Sequence, residues 1–206
     1  MIQKQTDPNE VFEWAIDNSV LDIAKAALKR GADINADKDT LYWAVFKNNL
    51  EMAKFLVENG FDINAHKTAL SEAVYDNNLE LVKFLVARGF NINAHKDTLY
   101  WAARNNNLEI AKLLLKNGFN INADEDTLFE AVYDNNLELV KFLVENGFNI
   151  NARKDTLCSA VHNNNLEIAK FLIENGANRE QIEIAVRESQ RLNKTEFIKY
   201  LTEVLK

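Results

Sequence analysis

Apolar positions along the chain form pairs of short helical patterns. Leu41, Ala44 and Val45 are spaced three and four residues apart, which places them on one face of a first helix of about two turns. A second apolar segment, LEMAKFLVEN, begins at Leu50 and ends at Asn59. Its apolar residues cover most of the helix circumference, so this second helix needs neighbours on both sides.

Glycine marks the end of the second helical pattern in every copy. All six glycines lie in one register, each 29 residues after the previous one, at Gly31, Gly60, Gly89, Gly118, Gly147 and Gly176. A glycine directly after a helix adopts the left-handed conformation that caps the last carbonyl groups at little steric cost. Helix pairs stacked in series would cover one another's second helices, which is the arrangement of a solenoid.

Short polar segments set the limits of the helices within each repeat. A residue that can cap a helix stands two positions before the first core leucine, and we expect its side chain to accept a hydrogen bond from the first free amides. These cap candidates are Asp39, Thr68, Asp97, Asp126 and Asp155. Paired asparagines end the first helix, since asparagine tolerates turn conformations, and so short a connection makes the two helices antiparallel. The pairs are Asn48 and Asn49, Asn77 and Asn78, Asn106 and Asn107, Asn135 and Asn136, and Asn164 and Asn165.

The repeat unit resembles the ankyrin repeat. The segment TLYWAARNNNLEIAKLLLKNGFNINA matches the family pattern at the leucine, the alanine pair, the L-E, the leucine run, the glycine and the closing I-N-A. Family repeats are usually about 33 residues long, whereas these have 29, and the missing residues fall where the family builds its projecting β-hairpin. The resemblance therefore implies an all-α ankyrin-repeat solenoid of stacked antiparallel helix pairs with truncated hairpin loops.

The register divides the chain into repeats and caps. We predict a single ankyrin-repeat domain over residues 1–206, in which residues 7–31 form an N-terminal cap repeat. Residues 177–206, where the glycine register is lost, form two C-terminal capping helices. Terminal repeats with a polar outer side keep a solenoid soluble. Five internal repeats lie between the caps, at residues 32–60, 61–89, 90–118, 119–147 and 148–176.

Composition limits the classes of partner and the cell compartment that we expect for this chain. With 24 basic and 31 acidic residues the net charge is −7, and this field repels phosphate backbones and anionic lipid headgroups. Cys158 is the only cysteine, which favours a reducing compartment. The start, MIQKQTDPNEVFEW, lacks the apolar core of a secretory signal, and no apolar run reaches membrane-spanning length. We therefore expect a monomeric cytoplasmic protein that binds neither nucleic acid nor membrane, with a host cytosol as the alternative for a secreted effector.

Differences between the repeats concentrate on the exposed side of the first helix, which in ankyrin-like proteins faces the concave groove. Tryptophan and glutamate alternate there at one position. Exposed aromatic residues offer large, rigid contact area and are typical of interaction surfaces. We therefore hypothesise a binding scaffold that docks a partner protein with apolar anchors and basic groups. The candidate residues are Tyr42, Trp43, Phe46, Glu72, Tyr75, Asp76, Tyr100, Trp101, Arg104, Phe129, Glu130, Tyr133 and Asp134.

Two other interpretations stay open at this point. Duplication of a two-repeat block also explains the alternation, and Trp43 and Trp101 would then only pack between layers. The chain would in that case be a structural or designed repeat array with no dedicated ligand. Cys158 and His162, four residues apart on one helix face, fit a nucleophile with its base or two metal ligands. A third partner for them is missing, so we expect no enzymatic activity, no cofactor and no metal site.

Overall fold

The computed structural model describes residues 7–206, which form fourteen helices and contain no strand. The predicted all-α fold with truncated hairpin loops is thus confirmed. Residues 1–6, which begin the segment where no secretory signal is predicted, lie outside the described residues. The helices are α1 (Pro8–Asp17), α2 (Leu21–Lys29), α3 (Thr40–Phe46), α4 (Leu50–Glu58), α5 (Ala69–Tyr75), α6 (Leu79–Ala87), α7 (Thr98–Arg104), α8 (Leu108–Lys116), α9 (Asp126–Tyr133), α10 (Leu137–Glu145), α11 (Thr156–His162), α12 (Leu166–Glu174), α13 (Arg179–Arg191) and α14 (Thr195–Val204).

The chain divides into two compact units, the first ending at Thr98 and the second beginning at Leu99. In the first unit, α1 contacts α2 and α3, α3 contacts α4 and α5, and α4 contacts α6. Leu41 on α3 and Leu56 on α4 are buried, as the apolar pattern predicts. Each helix pair in this unit therefore packs on the next one. The single domain and its repeat boundaries stay predictions.

The second unit ends in two helices, α13 and α14, which lie in the segment where the sequence predicts C-terminal capping helices. Here α9 contacts α10 and α11, α11 contacts α12 and α13, and α13 contacts α14. Ile182 and Ala185 of α13 are buried, as are Phe197 and Leu201 of α14. The last helix pair of the register is therefore covered by an amphipathic pair that has a polar outer side.

The predicted caps of the first helices are wrong at four positions. The side chains of Asp39, Thr68 and Asp155 make no capping hydrogen bond, and α9 begins at Asp126 itself. A capping residue normally has an extended backbone, whereas ψ at Asp39 is −5°, in the helical region, and its side chain makes no capping hydrogen bond. Instead, the Oδ1 atom of Asp37 accepts a hydrogen bond from the amide of Asp39 at 2.9 Å. The cap is thus replaced by a turn that forms two residues earlier.

The asparagine pairs both end the first helix and begin the second. The first asparagine of each pair has a positive φ, such as 55° at Asn106 and 62° at Asn135. The second caps the following helix, and Oδ1 of Asn136 accepts a hydrogen bond from the amide of Leu139 at 3.0 Å. Asn136 also donates from Nδ2 to Oδ1 of Asn106 at 2.9 Å. The pair therefore terminates one helix, caps the next and links successive repeats.

The left-handed backbone at Asn106 predicts a difference between two substitutions. A β-branched residue at φ 55° is sterically strained by about 1–2 kcal/mol, while glycine is not. Both changes also remove the hydrogen bond from Asn136. We expect Asn106→Val to lower the free energy of unfolding by about 2 kcal/mol and Asn106→Gly by about 1 kcal/mol or less, measured by urea denaturation. Equal losses would contradict the left-handed conformation.

A third asparagine, in the loop after each glycine, bridges to the backbone of the next repeat. Asn35 donates from Nδ2 to the carbonyl of Gly60 at 3.1 Å and accepts from the amide of Asp62 at 2.8 Å. We call this double contact the asparagine bridge. Its two partners are main-chain atoms, so it does not depend on the side chains of the next repeat. The same bridge forms at Asn64, Asn122 and Asn151.

Candidate binding faces of the first helices

The predicted site residues lie on the first helices of both units, and each unit has its own set. The first-unit face carries Tyr42, Trp43 and Phe46 on α3, with Glu72 and Tyr75 on α5 and Asp76 directly after it. The second-unit face carries Tyr100, Trp101 and Arg104 on α7, with Phe129, Glu130 and Tyr133 on α9 and Asp134 directly after it. Large apolar side chains on both faces remain open to solvent, with Phe46 50% exposed and Tyr133 60% exposed.

Three aromatic rings of α3 form a cluster on the first-unit face. The ring of Trp43 meets Tyr42 at a centroid distance of 5.4 Å and Phe46 at 5.8 Å, both edge to face. Tyr42 and Phe46 stack at 6.0 Å, and the ring of His66 lies 4.6 Å from Tyr42. Such pairs stabilise one another by about 0.5–1.5 kcal/mol beyond their buried area. The cluster is therefore a stiff aromatic surface.

The first-unit face also carries two carboxylates without a counter-ion. Within residues 7–206, neither Glu72 nor Asp76 forms an ion pair with a lysine, arginine or histidine. Partial burial and then the charge of Asp76 raise the pKa of Glu72, and burial raises the pKa of Asp76. Burial, followed by Glu72 and other carboxylates, raises the pKa of Tyr42 as well. Among the described residues, these two carboxylates therefore lie beside the aromatic cluster without an ion-pair partner.

On the second-unit face, Arg104 occupies the place beside the carboxylate. Its Nη1 atom donates a hydrogen bond to the hydroxyl of Tyr100 at 3.0 Å. The guanidinium carbon lies 5.9 Å from the ring centroid of Trp101, and Nη1 lies 3.7 Å from Oε1 of Glu130. Burial raises the pKa of Glu130, and Arg104 opposes that rise. This face therefore contains its own cation.

A second arginine on this unit, Arg153, is not among the predicted site residues. Arg153 lies over the ring of Phe129 at 3.9 Å and contacts Asp126 at 2.5 Å. It also binds Asp155 through two hydrogen bonds, of 2.9 and 2.7 Å, and these lower the pKa of the Asp155 carboxyl. A paired, stacked guanidinium is strongly held. Its only signal in the sequence is a basic residue in the loop two positions before a predicted cap.

One exposed tryptophan was also missed. Trp14 on α1 stands 29 residues before Trp43, so it occupies the same position in the N-terminal cap repeat. Its side chain is 51% exposed, compared with 39% for Trp43. The predicted alternation of tryptophan and glutamate at this position covers only the internal repeats. Extending the same register by one repeat would have found Trp14.

The pair of Cys158 and His162 lines a cleft of about 260 Å³ with Phe129 and Tyr133. Burial, followed by Glu188 and Asp155, raises the pKa of the Cys158 thiol to about 11. Nucleophilic and metal-binding cysteines need the opposite shift. His162 lies with Nε2 2.6 Å from Oε1 of Glu188. No group of three or more His, Cys, Asp or Glu side chains is arranged for a metal ion in residues 7–206.

Comparison with known proteins gives one family. The family model described as ankyrin repeats, in three copies, matches residues 2–67, 41–125, 99–183 and 128–204. Among curated proteins, none matches the chain significantly. No helix between residues 7 and 206 is both long enough and apolar enough to cross a membrane.

Proposed function

Because this chain belongs to the ankyrin-repeat family, we propose that it is a protein-binding scaffold whose first-helix faces hold a partner protein. Repeats of this family generally serve as protein-interaction scaffolds, and they are typically non-enzymatic. The observation that carries the proposal is the exposed aromatic cluster of Tyr42, Trp43 and Phe46 beside the unbalanced carboxylates of Glu72 and Asp76. Its lone cysteine suits a reducing, cytoplasmic setting.

The chemistry of these faces points to the chemistry of the partner. Large aromatic side chains are frequent at the centres of interfaces, since they bury much area at a low entropy cost. Carboxylates at the edge of such a surface favour a partner with basic groups and speed its approach. The net charge of −7 adds a long-range attraction for the same basic groups. We therefore expect the partner segment to combine apolar anchors with lysine or arginine.

The alternative, that the tryptophans only pack between layers, makes a different prediction for Trp43. A packing residue is buried, whereas Trp43 is 39% exposed and contacts Phe46, which is 50% exposed. Trp101 is half-buried, so its position supports either role. Exposure of Trp43 favours binding on the first-unit face.

Selection from a random peptide library displayed on phage tests the proposal with no partner specified in advance. We expect the whole chain to enrich peptides that combine aromatic or aliphatic residues with lysine or arginine. Trp43→Ala should lower the affinity for the selected peptides by about tenfold or more, as measured by fluorescence anisotropy. Its circular dichroism spectrum should match that of wild type. Acidification from about pH 7 to about pH 4 should also lower the affinity for these peptides, because carboxylates with a raised pKa lose their charge first.

The control variant is Glu51→Ala, an exposed residue of α4 that is not part of the first-unit face. It removes one negative charge from the molecule and should leave peptide affinity nearly unchanged. Cooperative unfolding of Trp43→Ala would support the packing alternative. Peptides that bind equally well to wild type and to Trp43→Ala, or no enrichment at all, would overturn the proposed scaffold.

A further inference from the structure

The first helices repeat their polar pattern with a period of two repeats. Three glutamates follow one another at intervals of 58 residues, namely Glu72, Glu130 and Glu188. The residue 26 positions before each glutamate lies on the preceding first helix, and these residues are Phe46, Arg104 and His162. Two of the three are basic groups, so the position is suited to a counter-ion for the glutamate.

Both basic groups do contact their glutamate in the second unit. Nη1 of Arg104 lies 3.7 Å from Oε1 of Glu130, and Nε2 of His162 lies 2.6 Å from Oε1 of Glu188. Arg104 is also held by the aromatic residues of its own helix, through the Tyr100 hydroxyl at 3.0 Å and the ring of Trp101 at 5.9 Å. An arginine thus already occupies this combination of aromatic rings and carboxylate within the molecule.

The first unit has the same combination without the cation. Tyr42 and Trp43 stand where Tyr100 and Trp101 stand in the later repeat, and Glu72 stands where Glu130 does. Phe46 replaces the arginine and adds a third ring, 5.8 Å from Trp43 and at 87° to it. Glu72 forms no ion pair within residues 7–206.

We infer that the corner formed by Trp43, Phe46, Glu72 and Asp76 binds an arginine side chain of the partner protein. This inference rests on the proposed function, because it names the anchor that the first-unit face recognises. The rings attract a cation through their faces, and the two carboxylates neutralise its charge. Arginine fits better than lysine since a planar guanidinium stacks on rings and can donate several hydrogen bonds at once. In the second unit, Arg104 donates one hydrogen bond to Tyr100, and its guanidinium carbon lies 5.9 Å from the ring centroid of Trp101.

Titration with N-acetyl-L-arginine amide tests the corner directly. The readout is the indole N–H signal of Trp43 in ¹⁵N-labelled protein, with Trp14 and Trp101 as internal references. N-acetyl-L-citrulline amide is the matched ligand, because it has nearly the same shape and no charge. We expect the Trp43 signal to shift saturably with the arginine ligand, and the citrulline ligand to bind about five- to tenfold more weakly. Equal responses to the two ligands, or no response of Trp43, would overturn the inference.

Two variants separate occupancy of the corner from damage to the fold. Phe46→Arg supplies the cation from within, as Arg104 does, and should abolish the Trp43 response. Glu72→Gln keeps the shape of the side chain and should weaken arginine binding by about fivefold, while Glu51→Gln on the outer side of α4 should change nothing. An unchanged response in both Phe46→Arg and Glu72→Gln would overturn the corner.

The corner and the scaffold can fail independently. If library peptides bind the first-helix faces but Trp43 does not distinguish arginine from citrulline, the corner is wrong and the scaffold stands. If Trp43 binds the arginine ligand saturably but no peptide is enriched, the scaffold is wrong and the corner remains a site for a guanidinium group.

Discussion

Replacing Phe197 with alanine should lower the free energy of unfolding of the second unit by about 4 kcal/mol. Phe197 on α14 is 2% exposed, and α14 packs against α13. Removing a buried aromatic ring loses its transfer free energy and leaves a cavity that the surroundings fill only in part. Urea denaturation followed by circular dichroism measures the loss, and a lower midpoint with an unchanged slope is expected.

The loss of stability caused by Phe197→Ala should also affect the repeat that α13 and α14 cover. A solenoid needs terminal elements with a polar outer side, since its last repeat otherwise presents apolar surface to water. We therefore expect the Phe197→Ala protein to aggregate at a lower temperature than wild type. Val204, on the same helix and 39% exposed, provides the control, and Val204→Ala should stay within about 0.5 kcal/mol of wild type. Equal effects at the two positions would contradict the capping role of α14.

Leu56→Ala should lower the free energy of unfolding of the first unit by about 3 kcal/mol. Leu56 is completely buried on α4, and α4 contacts both α3 and α6, so the side chain lies between successive helix pairs. Its removal weakens the contact within a pair and the contact between pairs together. Urea denaturation gives the change in free energy, and hydrogen exchange should show the largest loss of protection in α3, α4 and α6.

Lys54 on the same helix is the matched control for Leu56. Its ammonium group lies 3.2 Å from Oε1 of Glu51, in an exposed pair that contributes about 0.3–0.5 kcal/mol. Lys54→Ala should therefore change stability by about 0.5 kcal/mol or less. A loss at Lys54 as large as the loss at Leu56 would show that charge, and not stacking of apolar faces, holds this unit together.

The helices and their buried faces could be predicted from the sequence because one register fixes them. Leu41 and Leu56 are buried where the apolar period places them, and Gly60 has the left-handed backbone, with φ 93°, that its place after a helix requires. The caps could not be predicted in the same way. An aspartate before a helix has several local hydrogen bonds available, and Asp37 rather than Asp39 forms the turn at the start of α3.

Exposure of the site residues follows the repeat pattern, but their partners do not. The register alone places Phe46 and Tyr133 on exposed sides of first helices, and both are at least half exposed. Ion pairs such as the one between Arg104 and Glu130 join side chains from different repeats. They depend on rotamers and on the close approach of two helices, which the spacing of residues does not contain.

The asparagine bridge has a consequence for how such a chain can change over generations. Asn35 and Asn122 hydrogen-bond only to main-chain atoms of the following repeat, so this connection between repeats needs no matched side chain in the following repeat. Recombination in frame can insert or delete whole 29-residue units, and the asparagine bridge can form again between the two repeats that become neighbours. Substitutions on the exposed sides of the first helices can then change partner recognition under natural selection without removing the asparagine bridges.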